Sequence, residues 1–236
     1  METPVCEESV NFRSGSLTLS GVLSYPEQTA PQYAVLLCAP HPNFAGNMEN
    51  NVILALARDF ARNAMTLRFD YRGVGASEIQ LPGDLSVFDY WSETEDSQNY
   101  AAPLEDVCAA AQALDKFSSG LPLAIVGYSF GAIVGLLAGK SAGEARVFVG
   151  IAPPLKRYSF AFLSECRAPC LLLSGRDDFV FADTADGAAP NAWAECVMQR
   201  VLDGHDHFFR GAEEIVCGHV RGFVEAAMKE FNGTTK

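Results

Sequence analysis

Gly127-Tyr128-Ser129-Phe130-Gly131 is the segment of this chain whose residue types and spacing point most directly to chemistry. It lies between an apolar run, Leu-Ala-Ile-Val, and a small-residue run, Ala-Ile-Val-Gly-Leu-Leu. A serine is thereby placed where a strand turns sharply into a helix. A nucleophile projecting from so tight a turn has a strained backbone, and its neighbours two positions away must be small. The following helix aims its N-terminal amides at the serine oxygen. The backbone N–H of Phe130 is the expected first donor to an oxyanion. A nucleophilic serine also needs a base to take its proton and a carboxylate to orient that base. Two candidates for each role lie after later apolar runs. Leu171-Leu172-Leu173-Ser174-Gly175-Arg176-Asp177-Asp178 offers Asp177 and Asp178, and Gly204-His205-Asp206-His207-Phe208-Phe209 offers His205 and His207.

Elements of alternating type must hold these residues. Val10–Tyr25 reads as a β-hairpin turning at Ser14-Gly15. Tyr33–Ala39 is a continuous apolar run, as a strand buried on both faces requires. Asn50–Asn63 carries Val52, Leu56 and Phe60 at helical spacing. Met65–Tyr71 is the next strand, broken by Gly73 and Gly75. Leu104–Phe117 is an Ala-rich helix, Leu121–Val126 a strand, and Phe130–Gly139 a small-residue helix. Ala145–Ile151, Cys170–Ser174 and Cys196–Leu202 are three further strands, and Ala212–Phe231 is a closing helix. Alternating strands and helices imply a mainly parallel sheet covered on both faces, in one domain over residues 1–236. Glu78–Pro103 stands apart. It is acidic, has no sustained period, and carries Phe88, Tyr90, Trp91 and Tyr100. It is expected to be a lid-like insertion bordering the site, because ligands bind beyond the carboxyl ends of strands in such sheets.

Four segments in order carry a family resemblance: Ala-Pro-His-Pro-Asn-Phe-Ala-Gly, Arg-Phe-Asp-Tyr-Arg-Gly-Val-Gly-Ala-Ser, Gly-Tyr-Ser-Phe-Gly and Gly-His-Asp-His-Phe-Phe. From about Tyr33 to the final helix the chain resembles the α/β-hydrolase superfamily. Within it, the chain is similar to small capless bacterial serine hydrolases related to dienelactone hydrolase. The resemblance implies an α/β-hydrolase fold without a full cap domain. It selects Asp178, three residues after the glycine, over Asp177. It selects His207, which precedes an aromatic pair, over His205. The chain order Ser129, Asp178, His207 is that of the superfamily. The second oxyanion donor is implied in the loop Pro40–Gly46, at the N–H of Asn43 with Phe44 as runner-up, since Pro42 has none to give. His41 then braces that loop. Asp70 and Arg72 are expected to tie loops together. Phe44, Tyr128, Trp91 and Phe208 are the expected substrate-binding residues.

The resulting expectation is a serine hydrolase of small carboxylic esters, acting through an acyl-enzyme without a cofactor. Thioester, amide or peptide hydrolysis and acyl transfer use the same residues, and a binding protein can keep such a fold without turnover. Composition narrows the partners. The formal net charge of −12 argues against nucleic acid and against an anionic membrane surface. No apolar run approaches the ~18 residues of a membrane span, and the acidic first ten residues lack a secretory apolar core. The seven cysteines are odd in number and irregularly spaced, as in a reduced cytoplasmic protein. Cys38, Cys170 and Cys196 fall in apolar runs that read as core strands. The His205-x-His207 pair lacks a fitting third ligand, so no metal is expected.

Overall fold

The computed structural model describes residues 4–142, 145–181 and 193–233. The hairpin runs from β1 (Val5–Ser14) to β2 (Leu17–Pro26), and its turn uses Gly15 at φ 56°. Six more strands follow: β3 (Ala34–Cys38), β4 (Met65–Phe69), β5 (Leu123–Tyr128), β6 (Ala145–Ile151), β7 (Cys170–Gly175) and β8 (Val197–Leu202). They form one sheet in the order β1-β2-β4-β3-β5-β6-β7-β8. The β1–β2 and β2–β4 pairings are antiparallel, and all later ones are parallel.

Every residue of β3, β5 and β7 is buried. Their unbroken apolar sequences answer to cover on both faces of the sheet. The cover comes from α1 (Asn51–Phe60), α3 (Ala101–Ser118), α4 (Phe130–Ala142) and α5 (Glu213–Gly233), with α1 beside α5 and α3 beside α4. The edge strand β8 instead alternates between half-buried and exposed positions. Cys196, just before it, is correspondingly half-buried rather than a core residue.

Glu78–Pro103 is not irregular. It contains a helix, α2 (Val87–Ser97), and the first turn of α3. The Ser86 hydroxyl accepts the Asp89 N–H at 3.1 Å and donates to the Asp89 carboxylate at 2.6 Å. Ser86-Val-Phe-Asp89 is thus a serine-led N-cap signal in a segment too acidic to show a clean period. α2 buries Trp91 and Thr94 and leaves Asp89, Glu93 and Asp96 exposed.

Buried charge fixes the path of the chain where periodicity gives no guide. Asp106 on α3 has no exposed surface. It accepts hydrogen bonds from the Arg72 guanidinium at 2.6 to 3.1 Å, the Arg72 N–H at 3.0 Å and the Ser14 hydroxyl at 2.7 Å. The helix, the exit of β4 and the hairpin turn meet at this carboxylate. Asp70 accepts the Met48 N–H at 2.8 Å, and a Cβ on Gly75 would lie 2.3 Å from its other oxygen. The Asp70–Ser77 segment is therefore a tie between loops, as expected. Removing one partner of a buried pair strands the other's charge, so Asp106→Ala should lower unfolding free energy by about 3–5 kcal/mol. Urea denaturation followed by circular dichroism measures this, and a loss below about 1 kcal/mol, typical of an exposed pair, would contradict it.

Candidate active site

The strand-to-helix turn has the geometry its sequence demands. Ser129 sits at φ 55°, a left-handed conformation rare for a residue with a side chain. Its N–H donates to the Ile151 carbonyl at 2.8 Å, which locks the turn to β6. A Cβ on Gly127 would lie 2.0 Å from the Gly131 carbonyl oxygen, and one on Gly131 would lie 2.1 Å from the Cys38 carbonyl oxygen. Neither position can hold another residue without moving backbone. Phe130 opens α4, so its N–H has no acceptor within the helix, and no other backbone acceptor takes it among the described residues.

Ser129, His207 and Asp178 come together at the carboxyl ends of the strands. The Ser129 Oγ lies 3.0 Å from His207 Nε2, and His207 Nδ1 lies 2.9 Å from Asp178 Oδ2. The tautomer that fits this series carries its proton on Nδ1, leaving Nε2 to accept from the serine. Asp178 is buried, and its other oxygen accepts the Val180 N–H at 2.8 Å. Tyr128 donates its phenol proton to the His207 carbonyl at 2.8 Å. The unselected candidates lie elsewhere. Asp177 is exposed, and its N–H donates to the His205 carbonyl at 3.0 Å. The His205 ring packs near Phe209 instead of Ser129.

A cavity of about 190 Å³ opens beside the serine, with Phe44, Tyr128, Phe130 and Phe208 on its walls. Its remaining wall was not legible as a site in the sequence. Phe179 and Val180 follow Asp178, Pro154, Arg157 and Tyr158 come from the β6–β7 connection, and Glu95 comes from α2. The Glu95 carboxylate accepts from the Tyr158 hydroxyl at 2.6 Å and from Arg157 at 3.2 Å, with His41 Nε2 at 3.6 Å. Burial holds the His41 pKa below its ordinary value, against the opposing pull of Glu95. A neutral imidazole suits its bracing contact, in which Nδ1 accepts the Asn43 N–H at 3.2 Å.

That contact corrects the second oxyanion donor. The Asn43 N–H is engaged by His41, and its side-chain amide donates to the Phe88 carbonyl and the Ser92 hydroxyl at 2.9 and 3.0 Å. Asn43 does not line the cavity; it ties its loop to α2. The runner-up Phe44 N–H is likewise engaged, by the His41 carbonyl at 3.0 Å. Trp91 is the other correction. It has no exposed surface and does not reach the cavity. Its ring packs edge-on to His41, Tyr71, Tyr90 and Phe130, at 5.4 to 6.0 Å between centroids. A large aromatic on an amphipathic helix gains more from that burial than from a half-wet wall.

No protein-family model matches the chain. It is 28% identical over 200 residues to the uncharacterized protein RP471 of Rickettsia prowazekii (strain Madrid E), covering 79% of this chain and 76% of that one. Solved structures are similar over nearly the whole length. An alpha-beta serine hydrolase homologue from Coxiella burnetii superposes with a TM-score of 0.74 at 23% identity, covering 94% of this chain and 96% of that one. XC6422 from Xanthomonas campestris, a serine hydrolase without a lid, superposes with a TM-score of 0.75 at 22% identity, covering 93% and 94%. The chain has the α/β-hydrolase fold. In this α/β-hydrolase fold the two antiparallel strands lie at one edge, and Ser129 follows a central strand flanked by β3 and β6. No helix among the described residues is long and apolar enough to cross a membrane.

Trp91 belongs to the support beneath the site. Trp91→Ala should therefore cost about 3–5 kcal/mol of stability, the range for a buried aromatic truncated in a core. Chemical denaturation measures the loss; a nearly unchanged midpoint would mean that the ring is not packed as described.

Proposed function

We propose that this chain is a serine hydrolase of small carboxylic esters, with Ser129 as nucleophile, His207 as base and Asp178 as the orienting acid. The observation that carries the reading is the continuous series from the Ser129 hydroxyl through His207 to the buried Asp178 carboxylate, at 3.0 and 2.9 Å, beside an apolar cavity. His207 Nε2 takes the serine proton as Oγ attacks the acyl carbonyl, and the imidazolium is held by Asp178. The carbonyl oxygen gains negative charge against the Phe130 N–H and the positive end of α4. His207 then protonates the leaving alcohol, and water repeats the cycle on the acyl-enzyme. None of these steps calls for a cofactor, and the partner is a small-molecule acyl compound.

The cavity favours an uncharged acyl group. Its walls are largely aromatic, and the guanidinium on its wall, Arg157, is already paired with Glu95. Residues 78–103 border the site through Glu95 and through the Asn43 bonds to α2, not through a wall of aromatic side chains.

Ser129→Ala should keep the fold and abolish labelling by a fluorophosphonate probe, with hydrolysis of a 4-nitrophenyl ester falling by about 10⁴-fold or more. His207→Ala should cost far more turnover than His205→Ala, and Asp178→Asn more than Asp177→Asn. Equal losses within either pair would defeat these assignments.

Phe179 and Phe208 stand at the mouth, 66% and 47% exposed, with centroids 5.0 and 5.5 Å from the His207 ring. Phe208→Ala should lower kcat/KM for a hexanoyl ester more than for an acetyl ester, since each lost methylene contact is worth about 0.8 kcal/mol. A parallel drop for both chain lengths would show that the ring only supports His207. Replacing a butyrate ester by a monosuccinate ester should reduce kcat/KM; a gain would point instead to Arg157 as a carboxylate receptor.

A further inference from the structure

Three thiols gather at the end of the sheet opposite Ser129. Cys166 closes the short 3-10 turn Ala161–Glu165, Cys170 opens β7, and Cys196 directly precedes β8. The Cys170 N–H donates to the Cys196 carbonyl at 2.9 Å, and the Cys196 thiol donates to the Cys166 carbonyl at 3.2 Å. The Cys166 thiol donates to the Ala168 carbonyl at 3.3 Å, a bond it gives up on ionising. Hydrogen bonds from the Cys170 thiol and from the backbone at Ala168 and Arg167 favour a thiolate at Cys166. Of these the Cys170 thiol contributes most, and together they outweigh partial burial and bring the Cys166 pKa down to about 6. Cys170 is pushed up by the same contact and by burial, and Cys196 is pushed up, first by burial. A thiolate flanked by protonated thiols is the arrangement in which one sulfur attacks and another resolves.

Access and composition agree with that chemistry. Cys166 is half-buried on the wall of a cavity of about 650 Å³ that also carries Arg146, Glu165 and Arg167. A small reagent can reach the sulfur from there. Among the described residues no group of three His, Cys, Asp or Glu side chains has an arrangement that could hold a metal ion.

We propose that Cys166 is an oxidative modification site that reacts with a small hydroperoxide and is resolved by Cys196 into a reversible disulfide. The Cys166 thiolate attacks one oxygen of hydrogen peroxide and the O–O bond breaks. Hydroxide leaves, takes up a proton and becomes water, and Cys166 carries a sulfenic acid. The Cys196 sulfur then attacks the Cys166 sulfur and gives up its proton. The S–O bond breaks and a second water leaves. Two thiols have lost two electrons to one peroxide, which has become two waters. Cys196 is the resolving partner because it is half-buried rather than fully buried, with a thiol already turned toward the Cys166 backbone. Cys170 is fully buried and held by the β7 pairings. The bond would staple the β6–β7 connection, which carries Pro154, Arg157 and Tyr158, to the start of β8.

Peptide mapping of the full chain under non-reducing conditions after stoichiometric hydrogen peroxide tests this. The expected product is a Cys166–Cys196 linkage that dithiothreitol reverses. Cys196→Ser should leave a sulfenic acid at Cys166 that dimedone traps, while Cys170→Ala should still form the linkage. In the untreated protein, iodoacetamide should alkylate Cys166 at pH 7 ahead of every other cysteine. A Cys166 that stays reduced, or that pairs with Cys170 while Cys196 stays free, would overturn the proposal. The thiol chemistry is independent of Ser129, because the map needs no substrate.

Discussion

The close approach of α4 to the strands beneath it is the constraint on which the rest of the site depends. At Gly127 and Gly131 the backbones come so near that a single added carbon would overlap a carbonyl oxygen. Only that proximity lets a chain leave β5 and enter a helix within one residue, and the residue between must take a left-handed conformation. Strain of this kind persists only when its surroundings over-determine it. The Ser129 N–H bond to Ile151, the Gly131 contact with Cys38 and the Phe130 ring among His41, Tyr71, Trp91 and Tyr100 supply that determination. The serine is held up out of the sheet because everything around it is held down.

The loops that meet this turn are set by polar ties. Asp106 joins three segments far apart in sequence, and Asp70 pins the loop before α1 through the Met48 N–H. Burial pushes the Asp70 pKa up, and the Met48 N–H pulls the other way. Asp106 is tolerable inside because both of its oxygens have donors. The His41 loop repeats the device with a neutral ring, whose Nδ1 accepts a backbone proton. The consequence reaches the chemistry. With the Asn43, Phe44 and Gly46 amides all engaged by His41, the Phe130 N–H is left as an open backbone donor beside Ser129.

The parts legible in the sequence were those whose physics is local. Continuous apolar runs marked the buried strands. β3 and β4 are each shorter than the run that predicted them, because apolar character continues past the last ladder hydrogen bond into the buried loops around the site. The turn at Ser129 was legible because steric need writes itself into neighbouring glycines. Choosing Asp178 over Asp177, or His207 over His205, was not a local matter, since each pair differs only in which way a side chain leaves its loop. Family resemblance chose in both cases; in the structure Asp178 lies 2.9 Å from His207, and His207 3.0 Å from Ser129. Glu95, Arg157 and Tyr158 were illegible for a stronger reason: they converge from α2 and the β6–β7 connection only once the sheet is assembled. α2 itself hid behind its acidic face, although Ser86 and Asp89 marked its start. Trp91 was misread because composition cannot tell an aromatic that faces a cavity from one that packs beneath it.

The contrast between Asp177 and Asp178 shows how burial assigns chemistry to one of two identical groups. A carboxylate in water interacts weakly with a neighbouring charge, and the same carboxylate out of water interacts several times more strongly. Asp177 lies in the first condition and Asp178 in the second. Burial would be ruinous for Asp178 if it were unpaired. The Val180 N–H satisfies one oxygen permanently, and the His207 Nδ1–H satisfies the other. In the proposed reaction, that second donor is the group that gains a full charge when His207 takes a proton from Ser129. In that reaction, the desolvation that Asp178 bears in the resting protein would be offset most completely as the imidazolium forms, with a buried anion facing a new cation at 2.9 Å. An exposed Asp177 in the same place would already be screened by water and would gain little from that change.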